Sequence, residues 1–256
     1  MMIRVVFNQK GGVGKSSITC NLAAISAQQG LKTLVIDLDP QGNSSHYLTG
    51  ESVQEMHDTL FDFFEQCLTI SSQRKPVEQL IRQTPWENLY LLPAHGELES
   101  LEAKLESRYK IYKLKEMLQE QAGVYDQIFI DTPPALNFFS RSALIGAGRC
   151  LIPFDCDAFS RQALGQLLSN IDEMRMDHNP ELQVEGIVVN QMQPQAKLPQ
   201  QLVNELVDAG HPVLPVYLMS SVKMRESHQL SKPLIYHVPR HKLTGQFVDL
   251  FQLLSE

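Results

Sequence analysis

Seven short runs rich in β-branched and aliphatic residues recur along the 256-residue chain: Arg4 to Asn8, Thr33 to Asp37, Leu89 to Pro93, Gln127 to Asp131, Cys150 to Phe154, Gly186 to Asn190 and Val213 to Leu218. Most are apolar on both faces. A strand with one wet side alternates polar and apolar residues, so a strand without that alternation must be covered on both sides, as central parallel strands are. Between the runs lie helical patterns, among them Leu164, Leu167, Leu168, Ile171 and Met174, or Leu202, Val203, Leu206 and Val207, whose three-and-four spacing marks a single buried stripe. Alternating strands and helices imply right-handed crossovers and an α/β fold: a doubly wound, mostly parallel central sheet with helices on both faces. Ligands of such sheets bind beyond the carboxyl ends of the strands.

No internal repeat, low-complexity tract or Pro/Gly/Ser linker divides the chain, so residues 1–256 are expected to form one domain. The stretch from Glu97 to Gln121 reads as one long, solvated surface helix with an imperfect apolar stripe. A net charge of −7 and a pI near 5.6 restrict any nucleic-acid binding to a local basic patch. Cys20, Cys67, Cys150 and Cys156 form no CxxC pair and sit in apolar runs, which suggests buried, reduced thiols. The N-terminus runs straight into a strand pattern, and no segment approaches the ~20 apolar residues of a membrane span. A cytoplasmic protein is expected.

The first strand ends in Asn8-Gln9-Lys10-Gly11-Gly12-Val13-Gly14-Lys15-Ser16-Ser17, followed by a helical pattern from Ile18 to Gln29. Three glycines let backbone N–H groups turn inward around phosphates, and the start of the helix adds the positive end of its dipole. Gly11, Gly12, Val13 and Gly14 would cradle the phosphates and Lys15 would reach the β- and γ-phosphates. The Ser16 hydroxyl would ligate Mg²⁺, and Ser17 would add a phosphate or capping contact. Gln9 stands where the common GxxxxGK[ST] pattern has its first glycine, and an additional lysine is present instead. Lys10 and Lys15 around Gly-Gly-Val-Gly form the deviant Walker A motif, and here nearly the whole chain resembles the ParA/MinD family of P-loop ATPases. The resemblance implies ATP as ligand and a homodimer that sandwiches two ATP molecules. In it Lys10 reaches across to the partner's nucleotide, a role comparable to an arginine finger worth ~10³- to 10⁵-fold in GTPases.

The second strand ends Asp37-Leu38-Asp39-Pro40-Gln41-Gly42-Asn43, similar to the family's DxDPQGN signature. Residues i and i+2 of an extended chain point the same way, so both acids are expected to face the phosphate site. By resemblance, Asp39 positions or activates the attacking water and Asp37 supports the magnesium shell. The run Gln127 to Pro134 places Asp131 after an apolar strand, in the family's DTPP form of a Walker B aspartate that holds Mg²⁺ through water. Asn190 and Pro215 are candidates for contacts to the adenine.

Within the family, the output depends on parts outside the ATP site. A ParA-type protein binds DNA non-specifically as the ATP dimer and releases it when a ParB-like or cargo-adaptor partner stimulates hydrolysis, which implies nucleoid association. Residues Ser220 to Gly245 contain Lys223, Arg225, Lys232, Arg240 and Lys242 against Glu226, a net +4. Such a patch would bind phosphates weakly and without sequence preference, with Kd of about 10⁻⁴ to 10⁻⁶ M. Leu218-Met219-Ser220 stands where many relatives have Ile-Pro-Arg, so one DNA-contacting arginine is missing, and Arg225 is the candidate to replace it. Three other readings compete. A MinD-type protein needs a basic, amphipathic C-terminal helix, whereas Thr244 to Ser255 carries no Lys or Arg and reads as a packing helix, so no membrane association is expected. An amide-forming or carboxylate-activating synthetase of the dethiobiotin or cobyrinic acid kind would use the same loop, although DxDPQGN with Lys10 resembles the partition branch more closely. A nitrogenase-type iron protein would need a cluster-ligating cysteine shortly after Asp131, where this chain has Pro133 to Phe139. With the first strand at its start, the sequence is not expected to act as an operator-specific repressor through the helix-turn-helix domain of some partition ATPases.

Overall fold

The structure, a computed structural model, describes all residues except 70–73, 157–159, 194, 196 and 256. Strands β1 (Met2–Val6), β2 (Thr33–Asp37), β3 (Arg82–Gln83), β4 (Leu89–Leu92), β5 (Gln127–Asp131), β6 (Arg149–Asp155) and β7 (Gln183–Asn190) form one sheet in the order β3-β4-β2-β5-β1-β6-β7. Every neighbouring pair is parallel except β3 with β4. The central strands bury both faces, and successive residues feed two separate cores. Val5, Leu34, Ile36, Ile128 and Ile130 enter one core, while Val6, Val35 and Phe129 enter the other. This is the doubly wound α/β sheet that the two-sided apolar runs require.

Helices α1 (Lys15–Gln28), α2 (Asn43–Thr49), α10 (Leu234–His237) and α11 (Lys242–Leu253) supply the second core. Helices α3 (Leu60–Leu68), α4 (Leu98–Ser107), α5 (Lys113–Glu120), α6 (Phe138–Gly146), α7 (Ser160–Asp177) and α8 (Lys197–Asp208) supply the first. Helix α1 is buried nearly all round, because α11 lies over the side that the sheet does not cover. Phe247, Leu250 and Phe251 of α11 are spent in that contact, as expected of a packing helix. No helix among the described residues is long and apolar enough to cross a membrane.

Three expectations need correction. Val213 to Leu218 does not form a sheet strand but makes only isolated bridges, Ile187 with Val213 and Met192 with Met219. The segment follows β7 through Leu214 N–H to Ile187 O (3.0 Å) and Leu218 N–H to Val189 O (2.9 Å). Pro215, between them, has no N–H to continue the ladder. The stretch from Glu97 to Gln121 is two helices, α4 and α5, and their leucines 98, 101, 105, 114 and 118 are core rather than solvated surface. The break falls at Tyr109, whose φ of +55° places it in the left-handed region. There Lys110 N–H closes back on Leu105 O at 3.0 Å, a Schellman-type helix end. Of the cysteines only Cys20 and Cys150 are buried, while Cys67 on α3 and Cys156 just past β6 are partly exposed, and no disulfide forms among the described residues.

Candidate functional site

The loop from Gln9 to Gly14 joins β1 to α1 at the carboxyl ends of the sheet strands. Gly12 (φ +77°) and Gly14 (φ +92°) both adopt left-handed backbone. At Gly14, moreover, a Cβ would lie 2.2 Å from Asn190 Nδ2, so any side chain there would displace that amide as well as strain the backbone. Two amides at the end of β7 shape the loop from behind. Asn190 Nδ2 donates to Val13 O and Gln191 Nε2 to Gly12 O, each at 2.9 Å. With those carbonyls held outward, peptide N–H groups are free to point inward. Gly14 caps α1 without a side-chain bond, which leaves the first-turn N–H groups open to an anion.

Lys15 is 7% exposed, and its Nζ donates to Lys10 O at 3.0 Å. Burial lowers its pKa, while the negative charges of Asp131 and Asp39 pull it back up. Asp37 and Asp131 are register partners on β2 and β5, and both are fully buried. Ser44 Oγ donates to Asp131 Oδ2 at 2.7 Å, and Ser45 donates to Asp37 Oδ2 from both its N–H (2.7 Å) and its hydroxyl (2.8 Å). Asp37 Oδ1 accepts the Asp39 N–H at 3.2 Å, and Asp39 Oδ1 accepts the Gln41 N–H at 3.0 Å. The first turn of α2 thus turns its donors onto the two central carboxylates. Burial nevertheless raises all three acids. Asp131 is pushed up to about 6 despite hydrogen bonds from Ser16 and Ser44. Asp37 is driven well above the carboxylate range by burial first and then by the Asp131 charge, and Asp39 is raised by burial against the Gln41 N–H and Lys15. Three acids crowd one lysine at this buried point, and a bound cation would favour their charged forms.

Lys10 Nζ lies 3.6 Å from Asp155 Oδ2 at the end of β6, and its N–H donates to Asn8 Oδ1 at 2.9 Å. Beside the loop opens a cleft of about 440 Å³ lined by residues including Gly14, Ser17, Asn190, Met224, Arg225 and His228. Pro215 lies exposed outside that lining, and the Asn190 Nδ2 that could face a base is engaged with the loop. The structure therefore brings Lys10 to Ser17, Asp37, Asp39 and Asp131 together and leaves Pro215 apart. Helix α9 (Val222–Gln229) carries Lys223 and Arg225, and Arg225 lines this cleft. Lys223 is paired to Glu226 at 2.7 Å, while Arg225, Lys232, Arg240 and Lys242 are exposed.

Sequence reading did not single out Ser44, Ser45, Asp155, Gln191 or His228. Two serines directly after Gly42-Asn43 at a helix start were the one local signal available. The others reach the loop from strand ends and α9, across well over a hundred residues of sequence.

Comparison with known proteins gives the same assignment. The AAA_31 family model, an AAA domain, matches residues 1–184. The chain is 31% identical over 249 residues to the chromosome partitioning protein ParA of Myxococcus xanthus, covering 96% of this chain and 84% of that one. It is 30% identical over 251 residues to the sporulation initiation inhibitor protein Soj of Bacillus subtilis, covering 97% and 96%. Its fold matches that of cobyrinic acid a,c-diamide synthase from Mycobacterium smegmatis with bound ATP analogue and magnesium, at a TM-score of 0.86 and 23% identity over 98% of this chain and 93% of that one. With a family model over most of its length and partition proteins over nearly all of it, the chain belongs to the ParA/MinD family of P-loop ATPases.

Proposed function

We propose that this chain is a ParA-type switch: it binds ATP with Mg²⁺, dimerises around it, binds DNA non-specifically in that state and resets by slow hydrolysis that a partner protein accelerates. The observation that carries this reading is Lys15, a nearly buried ammonium at the base of a glycine loop, facing Asp39 and Asp131. The donors fit a hard cation. The Ser16 hydroxyl and the Asp131 carboxylate would hold Mg²⁺, and no cluster of three His, Cys, Asp or Glu among the described residues would hold a metal unaided, so phosphate and water oxygens complete the shell. When bound, the ion neutralises charge on the phosphates.

The remaining work falls to the chain itself. Gly11 to Gly14 and the open first turn of α1 bind phosphate oxygens through N–H groups, and Lys15 directs its charge at the β- and γ-phosphates. Asp39, whose proton affinity is raised by burial, orients the attacking water and accepts hydrogen bonds from it. Asp37 braces the start of α2 through Ser45 and so fixes the acid pair. Lys10 serves the partner's nucleotide. The 31% identity to the chromosome partitioning protein ParA of Myxococcus xanthus favours partition or positioning of a DNA or protein cargo, with nucleoid association in the ATP state. Lys223, Arg225, Lys232, Arg240 and Lys242 supply the DNA contacts. The synthetase reading rests on a shared fold alone, and the membrane reading lacks a helix face, since that of α11 is buried.

The test is binding of the Asp39→Ala variant to non-specific duplex DNA with ATP or ADP across a salt series. ATP-dependent binding should weaken steeply with salt, by roughly 0.9 in log Kd per log salt for each phosphate contacted. An intact ATP dimer that ignores DNA would move the output to a protein surface or to synthetase chemistry.

A further inference from the structure

Ser17 Oγ in the first turn of α1 lies 2.8 Å from His228 Nε2 on α9, 211 residues further along the chain. The imidazole is held from its other side. It stacks on Tyr47 of α2, with ring centroids 4.2 Å apart and planes 20° from parallel. Tyr47 Oη is bonded to Ser227 Oγ at 2.5 Å and accepts from Asn21 Nδ2 at 3.1 Å. Asn21 Nδ2 also donates to Ser17 O at 2.8 Å, and its Oδ1 accepts the Leu234 N–H at 2.8 Å. These contacts close a ring through α1, α2 and α9, so His228 cannot swing away without losing its stack. Both Ser17 and His228 line the cleft beside the phosphate loop.

A serine hydroxyl has one proton to give. When His228 Nε2 accepts that proton, Ser17 offers only lone pairs to the cleft. When Nε2 carries hydrogen and donates to Ser17 Oγ, the hydroxyl proton turns outward, toward an anion. A phosphate in the loop selects the second arrangement, because a hydrogen bond to a charged oxygen is stronger than one to a neutral ring nitrogen. We propose that His228 is a positioning residue for the nucleotide: by donating to Ser17 it aims the Ser17 hydroxyl at the phosphate chain, and by the same bond it fastens the basic helix α9 to the occupied loop. The inference deepens the nucleotide-switch reading and rests on it. It gives that switch a route from the loop to Lys223 and Arg225, which lie five and three residues before His228 on the same helix.

The test is a double-mutant cycle on the binding of Mg-ADP, measured by titration calorimetry for the unsubstituted protein, His228→Phe, Ser17→Ala and the pair. His228→Phe retains a ring to stack on Tyr47 and removes the nitrogen. It should weaken Mg-ADP about 2- to 10-fold, the range of one side-chain hydrogen bond. The double variant should bind no more weakly than Ser17→Ala alone, because the histidine acts only through the serine. His228→Gln, which keeps an N–H donor, should recover part of the loss. Amide exchange in α9 should slow on addition of Mg-ADP to the unsubstituted protein and change little for His228→Phe. Losses that multiply in the double variant, or a His228→Phe protein that binds as tightly as the unsubstituted one, would overturn the proposal. Should His228→Phe fail to fold, the same cycle is read with His228→Leu, which also removes the nitrogen and where a retained additive loss overturns it equally. The parent reading fails separately, if Lys15→Ala leaves Mg-ADP binding intact.

Discussion

The contact between Lys10 and Asp155 bears directly on the proposed dimer. The lysine proposed to reach the partner's nucleotide is held, in the single chain, 3.6 Å from a carboxylate of its own β6 end. At that separation and an effective dielectric of about 20 the bare attraction is roughly 5 kcal/mol. The side chains are 36% and 33% exposed, however, and pairs so open to water measure about 0.2–1 kcal/mol net. Dimerisation that withdraws Lys10 breaks this contact once in each protomer, so the cost is about 0.4–2 kcal/mol per dimer. Asp155→Asn keeps the shape and removes the charge, and should therefore tighten ATP-dependent dimerisation about 2- to 30-fold. The assay is sedimentation velocity over a concentration series with ATP, in an Asp39→Ala background to prevent turnover. At about 1 M salt, where the Debye length falls to about 3 Å, the advantage of Asp155→Asn should shrink. A dimer constant for Asp155→Asn equal to or weaker than that of the parent refutes the argument that Asp155 restrains Lys10. Lys10→Ala is the companion control: it should bind ATP and fail to dimerise, and normal dimerisation would remove Lys10 from the interface altogether.

Two further outcomes test the scaffold beneath the site. Ser45 Oγ donates to buried Asp37 and accepts the N–H of buried Ala94 at 3.0 Å, so Ser45→Ala strips one bond from a carboxylate and orphans a backbone donor. It should cost roughly 2–5 kcal/mol in urea unfolding, and a loss under about 0.5 kcal/mol would show that these bonds do not brace α2. Burial first, and His46 second, hold the His228 imidazole below its ordinary 6.5. A group whose pKa is lower in the fold than in the unfolded chain favours the fold above the unfolded value, and that contribution is lost as pH falls through the folded one. Acidification from about pH 7 to 5 should therefore destabilise the unsubstituted protein more than His228→Phe, and parallel melting curves for the two would contradict the assigned direction.

What the sequence discloses here follows the distance over which each feature is encoded. β2 and β5 are readable because each is buried on both faces, and a two-sided strand states its position within five residues. β3, by contrast, is the two polar residues Arg82 and Gln83 on an antiparallel edge, too short for a period to register. Val213 to Leu218 has the composition of a strand, but Pro212 and Pro215 remove donors that a ladder needs. The end of α4 hides for another reason, since its left-handed residue is Tyr109 and not glycine. Buried Arg4 is similarly opaque in a strand: its partner Glu185 accepts from Nη2 at 2.6 Å, 181 residues away, and its third contact is the Leu254 carbonyl near the far end of the chain.

The same division runs through the site. The groups proposed to touch phosphate or metal lie in three contiguous stretches, because a strand end and the turn after it deliver several groups to one point. The groups that orient them come from elsewhere: Ser44 to Asp131 across 87 residues, Asn190 to Val13 across 177 and His228 to Ser17 across 211. A local motif therefore announces the chemistry, whereas its control is written in pairs that only the fold assembles. This asymmetry has a consequence for the switch. Relatives can share the loop and the acids while differing in the residues that tie them to α9 and β6, so divergence of output need not disturb the ATP site. In this chain those ties are His228 and Asp155, one bonded to Ser17 of the loop from α9 and the other paired with Lys10 from the end of β6.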